Sequence, residues 1–188
     1  MTSRLFEPIA IGDVELPNRL VVAPMCQYSA SDGSATDWHL QHLSQLAYSG
    51  AGLVVVEATA VERRGRITHA CLGLYSDDNE AALERVIHSA RRLGGPTRWG
   101  IQLAHAGRKA STRRPWEGGA PLGQGEDPWQ TLSSSATAFG EGWHVPHALT
   151  ASEIDGIVGE FVRAAQRAVR IGLDRKSTRL NSSHPYRS

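Results

Sequence analysis

The sequence predicts an α/β fold in which strands and helices alternate along 188 residues. Three observations carry this. Strand-length apolar runs begin at Arg19, Leu53 and Arg98. Amphipathic stretches with three-and-four spacing follow them. The run Leu53-Val54-Val55-Val56 has no alternation, as in a strand buried on both faces of a parallel sheet.

The elements follow in order. Ile9 to Asn18 is a short lead-in punctuated by Gly12-Asp13 and Pro17-Asn18. Arg19 to Ala23 reads as a strand stopped by Pro24, which has no N–H to give to a ladder. After the polar stretch Met25 to Thr36, a helix is expected over Asp37 to Ser49, on Leu40, Leu43, Leu46 and Ala47. Gly50-Ala51-Gly52 ends it. The second strand, Leu53 to Val56, emerges at Glu57-Ala58-Thr59-Ala60, and a loop runs from Val61 to Ser76. Asp77 and Glu80 are spaced as a capping box for a helix on Leu83, Val86, Ile87, Ala90 and Leu93. Gly94-Gly95-Pro96 closes that helix, and Arg98 to Leu103 is the third strand.

Ala104 to Pro146 has little periodicity but carries Trp116, Trp129, Phe139 and Trp143, which favour a packed loop over a disordered one. Thr150 and Glu153 then form a capping box, with Leu149 and Ile154 as its staple. The helix runs to about Ile171 on Ile154, Ile157, Val158, Phe161, Val162, Ala165, Ala168 and Val169, and Gly172 ends it. Two closures fit the alternation, a (β/α)8 barrel of roughly 250 residues or a doubly wound open sheet. A dinucleotide fingerprint is excluded by context, because Gly50-Ala51-Gly52 precedes its strand instead of following it.

Composition narrows the class of function. The net charge of +1 hides an asymmetry: Arg175, Lys176, Arg179 and Arg187 crowd the last fourteen residues, which contain no acid. Without them the chain has 16 positive against 19 negative side chains. No long run of one sign suggests a nucleic-acid arm, and no apolar run approaches membrane-spanning length. Two cysteines, Cys26 and Cys71, are too few for a disulfide scaffold. No signal peptide is visible, so a cytoplasmic location is expected.

The chemistry-bearing residues cluster after strands, where β/α folds bind ligands. Pro24-Met25-Cys26-Gln27-Tyr28 follows the first strand, Glu57 to Ala60 the second, and Gln102 with His105-Ala106-Gly107-Arg108-Lys109 the third. Gln102 and backbone N–H groups suit a heteroaromatic ligand, and Ala60 allows close approach. His39 and His42 lie three apart on a helix without an obvious third ligand, so they are expected to sit on the helix surface or pack, and not to bind metal. Arg63-Arg64 and Arg113-Arg114 are expected to be solvated loop charge. His105 fits a strand-end cap and a ligand contact equally well. Spacing alone gives a β/α protein with a site at its strand ends, and no reaction.

The same segments resemble the Old Yellow Enzyme family of FMN-dependent ene-reductases, in the branch of xenobiotic reductase A and the thermophilic-like NADPH dehydrogenases. The resemblance lies in Leu5-Phe6-Glu7-Pro8, Pro17 to Ser29, Val56 to Val61, Gly65-Arg66-Ile67-Thr68, Ile101 to Lys109, and Arg114-Pro115-Trp116-Glu117-Gly118. It covers about residues 4 to 174. It implies a TIM (β/α)8 barrel of the FMN-linked oxidoreductase type, truncated here after about three β/α units. It implies that Ala23, Pro24, Met25 and Cys26 line FMN, that Ala60 and Gln102 touch the flavin ring, and that Cys26 tunes the flavin and is not a nucleophile. Tyr28 would reach toward substrate. His105 and Lys109 are given no step. The implied activity takes hydride from NADPH or NADH and reduces the C=C bond of α,β-unsaturated carbonyl compounds. A homodimer or homotetramer is implied, with no nucleic acid, membrane or metal.

The family's fourth strand, the His pair that holds the carbonyl and the proton-donating Tyr are expected after Gly172. The chain instead reads Leu173-Asp174 and then Arg175 to Ser188, without a strand pattern. Residues 1–174 are therefore read as the N-terminal part of the barrel and 175–188 as an adapter- or vector-derived tail. Its Asn181-Ser182-Ser183 sequon carries no meaning in that context. Such a chain is expected to be inactive and not to fold stably. A small non-catalytic β/α binding domain and a dienoyl-reductase-like FMN enzyme are the alternatives.

Overall fold

The computed structural model describes residues 3–180, the last six by their backbone. Residues 181–188 of the expected foreign tail, with the sequon, lie outside the described residues. The chain opens with an antiparallel hairpin, β1 (Ile9–Ile11) and β2 (Val14–Leu16), where the sequence suggested only a turn-bearing lead-in. Then come β3 (Val21–Val22), α1 (Asp37–Tyr48), β4 (Leu53–Ala60), α2 (Asp77–Gly94) and β5 (Arg98–His105). A long excursion carries the short pair β6 (Leu132–Ser133) and β7 (His147–Ala148), and α3 (Ala151–Arg170) and β8 (Arg175–Leu180) follow.

The main sheet has the order β3-β4-β5-β8, and every pairing is parallel. Neighbours in sequence are therefore neighbours in space, with one helix per crossover, as in consecutive staves of a barrel. The described sheet is open, with β3 and β8 at its edges.

β8 corrects an expectation. No strand pattern was read after Gly172, yet Arg175–Leu180 continues the sheet, pairing Gly100 with Arg175 and His105 with Leu180. The ladder bonds are made by backbone, so the free edge of β5 accepts a segment that its side-chain pattern does not announce. The entry is fixed just before it: Asp174 N–H donates to Trp99 O at 2.8 Å, and its Oδ2 accepts the Trp99 N–H at 3.0 Å.

The core lies between the helices and one face of the sheet. Val54, Val56, Trp99, Ile101 and Leu103 meet Leu43 and Ala47 of α1, Leu83, Val86, Ile87 and Ala90 of α2, and Ala164 and Ala168 of α3. At 25 cal/mol per Å², each buried Val, Leu or Ile side chain contributes about 1.5–3 kcal/mol. α1 and α2 approach closely at Gly94, where an added Cβ would lie 2.2 Å from Ala47 Cβ. Leu93, one residue earlier, is exposed and not part of the α2 face. The cap of α2 is Ser76 and not Asp77: Ser76 Oγ accepts the Asn79 N–H at 3.2 Å. Asp77, Asp78 and Glu80 occupy the first turn, where negative charge is favoured.

α3 departs most from its pattern. Its capping box forms as expected, with Thr150 and Glu153 each accepting the other's N–H. Its apolar stripe is only partly covered, however. Ala164 and Ala168 are buried, while Ile154, Val158, Val162 and Val169 are exposed. Polar contacts help to fix its C-terminal end: Arg170 grips Glu80 of α2 at 2.7 and 2.8 Å, and Arg167 reaches Asp77 at 2.7 Å.

Candidate active site

The C-terminal ends of β3, β4 and β5 share one edge of the parallel sheet. The hairpin lies at the other end, since Arg98, which opens β5, donates to Glu15 O. Parallel partners face the same side, which sets the ligand face: Val55 beside Gly100, Ala58 beside Gln102, and Ala60 beside Ala104. Apart from Val55 and Gln102 these are Gly or Ala. That surface lets a planar ring lie close to the backbone.

Gln102 is half-buried on this face, and its amide makes no hydrogen bond to the described side chains or backbone. An uncommitted carboxamide can offer both a donor and an acceptor to a heterocycle. Ala60 is buried, and both of its backbone groups are used, by Leu72 O at 2.8 Å and Leu74 N–H at 2.9 Å. Only its methyl group is left to meet a ligand.

β4 extends to Ala60, four residues past the expected exit, with a bulge between Val56 and Ala58. Glu57 sits at that bulge, and at 5% exposure it is buried rather than emerging. Its Oε2 accepts the Gln27 N–H at 2.9 Å, and its Oε1 lies 3.3 Å from His39 Nε2. That second approach lacks hydrogen-bond alignment, and His39 Nε2 has no aligned partner. His39 Nδ1 accepts the Thr36 N–H at 3.0 Å, which leaves the ring proton on Nε2, facing Glu57. A cavity of about 10 Å³ borders these residues between α1 and β4, too small for any cofactor.

The loop after β3 carries the other expected residues. Pro24, Cys26 and Tyr28 are half-buried, and Ala23 and Met25 are exposed. Burial, the negative charge of Glu57 and the nearby Cys71 together push the Cys26 thiol up to about 12, against hydrogen bonds from Ala58 and Tyr28. Cys26 is therefore a neutral thiol at pH 7 and a poor nucleophile. Tyr28 has φ +49°, the left-handed region that bulky residues seldom adopt. Its ring meets Trp116 edge-to-face at 5.6 Å, so the long excursion reaches the first strand end.

His105 is a strand-end cap. Its Nδ1 accepts the Gly107 N–H at 3.0 Å, and its Nε2 meets Glu62 Oε1 at 2.9 Å. Glu62 is held below the usual carboxylate range, where hydrogen bonds from His105 and Arg64 outweigh burial. Gly65 backs this pair, since a Cβ there would lie 2.8 Å from the ring. Lys109 places its ammonium 4.4 Å from the centre of the Phe139 ring. The loop arginines are paired and not merely solvated: Arg63 with Asp32, Arg64 with Glu62, and Arg113 twice with Glu126. The aromatics of the excursion pack, with Phe139 on Trp143 and His69 on Trp129.

The sequence reading placed Glu57 in the strand-end cluster but gave it no role. The available signal was an acid directly continuing the most apolar strand of the chain. Its partners at positions 27 and 39 belong to other elements and become visible only once folded.

The fold and site define an open parallel β/α sheet with a face of small residues and Gln102 at its strand ends. Gln102 and the small-residue face fit the ring of a flavin. Over residues 4–176 the sequence matches the NADH:flavin oxidoreductase / NADH oxidase family, and the chain belongs to it. It is 42% identical over 189 residues to an NADH:flavin oxidoreductase of Gibberella zeae, covering 98% of this chain and 45% of that one. It is 39% identical over 186 residues to an NADPH dehydrogenase of Listeria monocytogenes, covering 98% of this chain and 49% of that one. A morphinone reductase in complex with tetrahydroNAD superposes with a TM-score of 0.76 at 29% identity, over 94% of this chain and 49% of that one. The chain thus spans about half the length of the relatives it matches. The fold is the FMN-oxidoreductase type with a partial, unclosed sheet. No described helix is long and apolar enough to cross a membrane.

Proposed function

We propose that the whole protein of which this chain forms the N-terminal barrel segment is an FMN-dependent ene-reductase. Its reductant is NADPH or NADH, and its substrates are α,β-unsaturated carbonyl compounds. The observation that supports this best is the convergence on one sheet edge of a neutral Cys26, a constrained Tyr28 and an uncommitted Gln102. Bound FMN supplies hydride chemistry. The chain's own residues bind and orient. Gln102 pairs with the ring's polar edge, while Ala23, Pro24, Met25 and Ala60 shape its bed. Cys26 lies beside the ring as an uncharged, polarisable group, and Tyr28 turns its ring toward the substrate side, braced by Trp116.

Residues 1–174 form the flavin-binding portion in this reading, and 175–188 are foreign to the parent gene. The family match ends at residue 176, while the alignments to the Gibberella and Listeria relatives run over 98% of the chain. A cytoplasmic location and a homodimeric or homotetrameric parent go with it. Two measurements test the proposal. The source locus is sequenced across the codons for residues 165–188, and the encoded full-length protein is assayed anaerobically for NADPH oxidation driven by 2-cyclohexenone. Yellow protein with enone-dependent turnover is expected. A colourless protein, or a locus that stops after Ser188, overturns it.

A further inference from the structure

The loop after β3 is pinned by a residue that meets no ligand in the reading above. Glu57 is buried in β4, and its Oε2 takes the N–H of Gln27, the residue after Cys26. Gln27 is fixed at its side chain too: Nε2 donates to Met25 O at 2.7 Å, and Oε1 accepts from Trp38 Nε1 at 3.2 Å. Tyr28 follows in a left-handed conformation that a bulky non-glycine residue adopts only at a cost. Such a backbone relaxes unless its flanks are held. Glu57 holds one flank. Ser29, whose carbonyl accepts from Thr36 Oγ1 at 2.9 Å, holds the other.

We propose that Glu57 is the positioning residue of this loop: its buried carboxyl group fixes Cys26 and Tyr28 at the ligand edge through the Gln27 N–H. The inference rests on the reading of Cys26 and Tyr28 as ligand-facing. Its second consequence is electrostatic. The groups around the thiol are Glu57 on β4, Tyr28 on the same loop, and Cys71 after β4, with His39 and His42 of α1 grouped around Glu57. His42 is held below its ordinary value, chiefly by burial. Near neutral pH it adds no positive charge to offset Glu57.

The test uses the full-length parent protein of which this chain is a segment. Iodoacetamide labelling of Cys26 is followed by peptide mass spectrometry, which separates it from Cys71, across pH from about 6 to 11. Gln27 amide exchange and flavin retention are read on the same samples. Wild-type Cys26 is expected to resist labelling through the range of an ordinary thiol, near about 8.5. E57Q keeps an oxygen for the Gln27 N–H but removes the charge. It is expected to label about tenfold faster at a fixed pH, one pK unit, with Gln27 still protected. E57A is expected to lose Gln27 protection as well. Should E57Q lose the wild-type circular dichroism, E57D decides: charge kept and reach shortened, Cys26 stays resistant while Gln27 exchanges faster. Wild-type Cys26 labelling like a free thiol overturns the proposal. So does E57Q or E57A matching wild type in both readouts, or E57D leaving Gln27 protection unchanged. The Cys26 shift without flavin retention overturns the flavin reading and leaves the Glu57 assignment standing.

Discussion

Gln102 and Glu57 show how a residue's environment decides its use. Gln102 is expected to contribute one or two ring hydrogen bonds in the flavin-loaded parent. Each is worth about 0.5–1.5 kcal/mol, so Gln102→Ala should weaken flavin affinity by about three- to tenfold per bond lost. Fluorescence titration of free FMN reads this directly, and an unchanged Kd removes Gln102 from the site. The role of Glu57 was not legible. An acid after four apolar residues reads as a strand leaving the core, and its partners Gln27 and His39 lie far from it in sequence. The place of Gln102 near the end of β5 was legible, because it lies late in the third apolar run. Cys26 was legible in position, while its neutral state depends on burial and on Glu57, which sequence spacing does not express.

Elements were legible where local chemistry fixes them. The Thr150–Glu153 box announces the start of α3, and it forms. Thr150→Ala is expected to lower stability by about 1 kcal/mol, read as a shifted urea midpoint. The box is also pH-dependent. Hydrogen bonds from the Thr150 N–H and hydroxyl and from His147 hold Glu153 at about 2, below its ordinary 4.5. A lowered carboxyl stabilises above its unfolded value and loses that contribution as pH falls through the folded one. The first turn of α3 is therefore expected to fray between about pH 4.5 and 2, visible as faster amide exchange at Glu153. No change on acidification would remove the carboxylate from the cap. Gly94 shows the reverse case, in which tertiary contact overrides propensity. Alanine there favours the helix by about 1 kcal/mol, yet its Cβ meets Ala47 at 2.2 Å. Gly94→Ala is expected to cost a net 1–3 kcal/mol, roughly the penalty of overpacking, and a stabilised variant would mean that the α1–α2 contact is loose.

At the scale of the whole molecule, an amphipathic pattern states that a helix face seeks burial, not that anything covers it. The stripe of α3 was readable, but the exposure of Ile154, Val158, Val162 and Val169 was not, nor was the pairing of β8 through backbone alone. The described sheet consequently presents two open edges and one uncovered helix face together. Exposed apolar side chains contribute little to folding while promoting association. Val158→Lys with Val162→Lys should therefore move the urea midpoint of the 188-residue chain by no more than about 0.5 kcal/mol per site, whereas Leu83→Ala, fully buried in α2, should cost about 2–5 kcal/mol. The double lysine variant should also scatter less light at equal concentration. A large loss of stability in that variant would show that the α3 face is covered in solution, and that the unit which folds cooperatively is larger than one copy of the described sheet and its three helices.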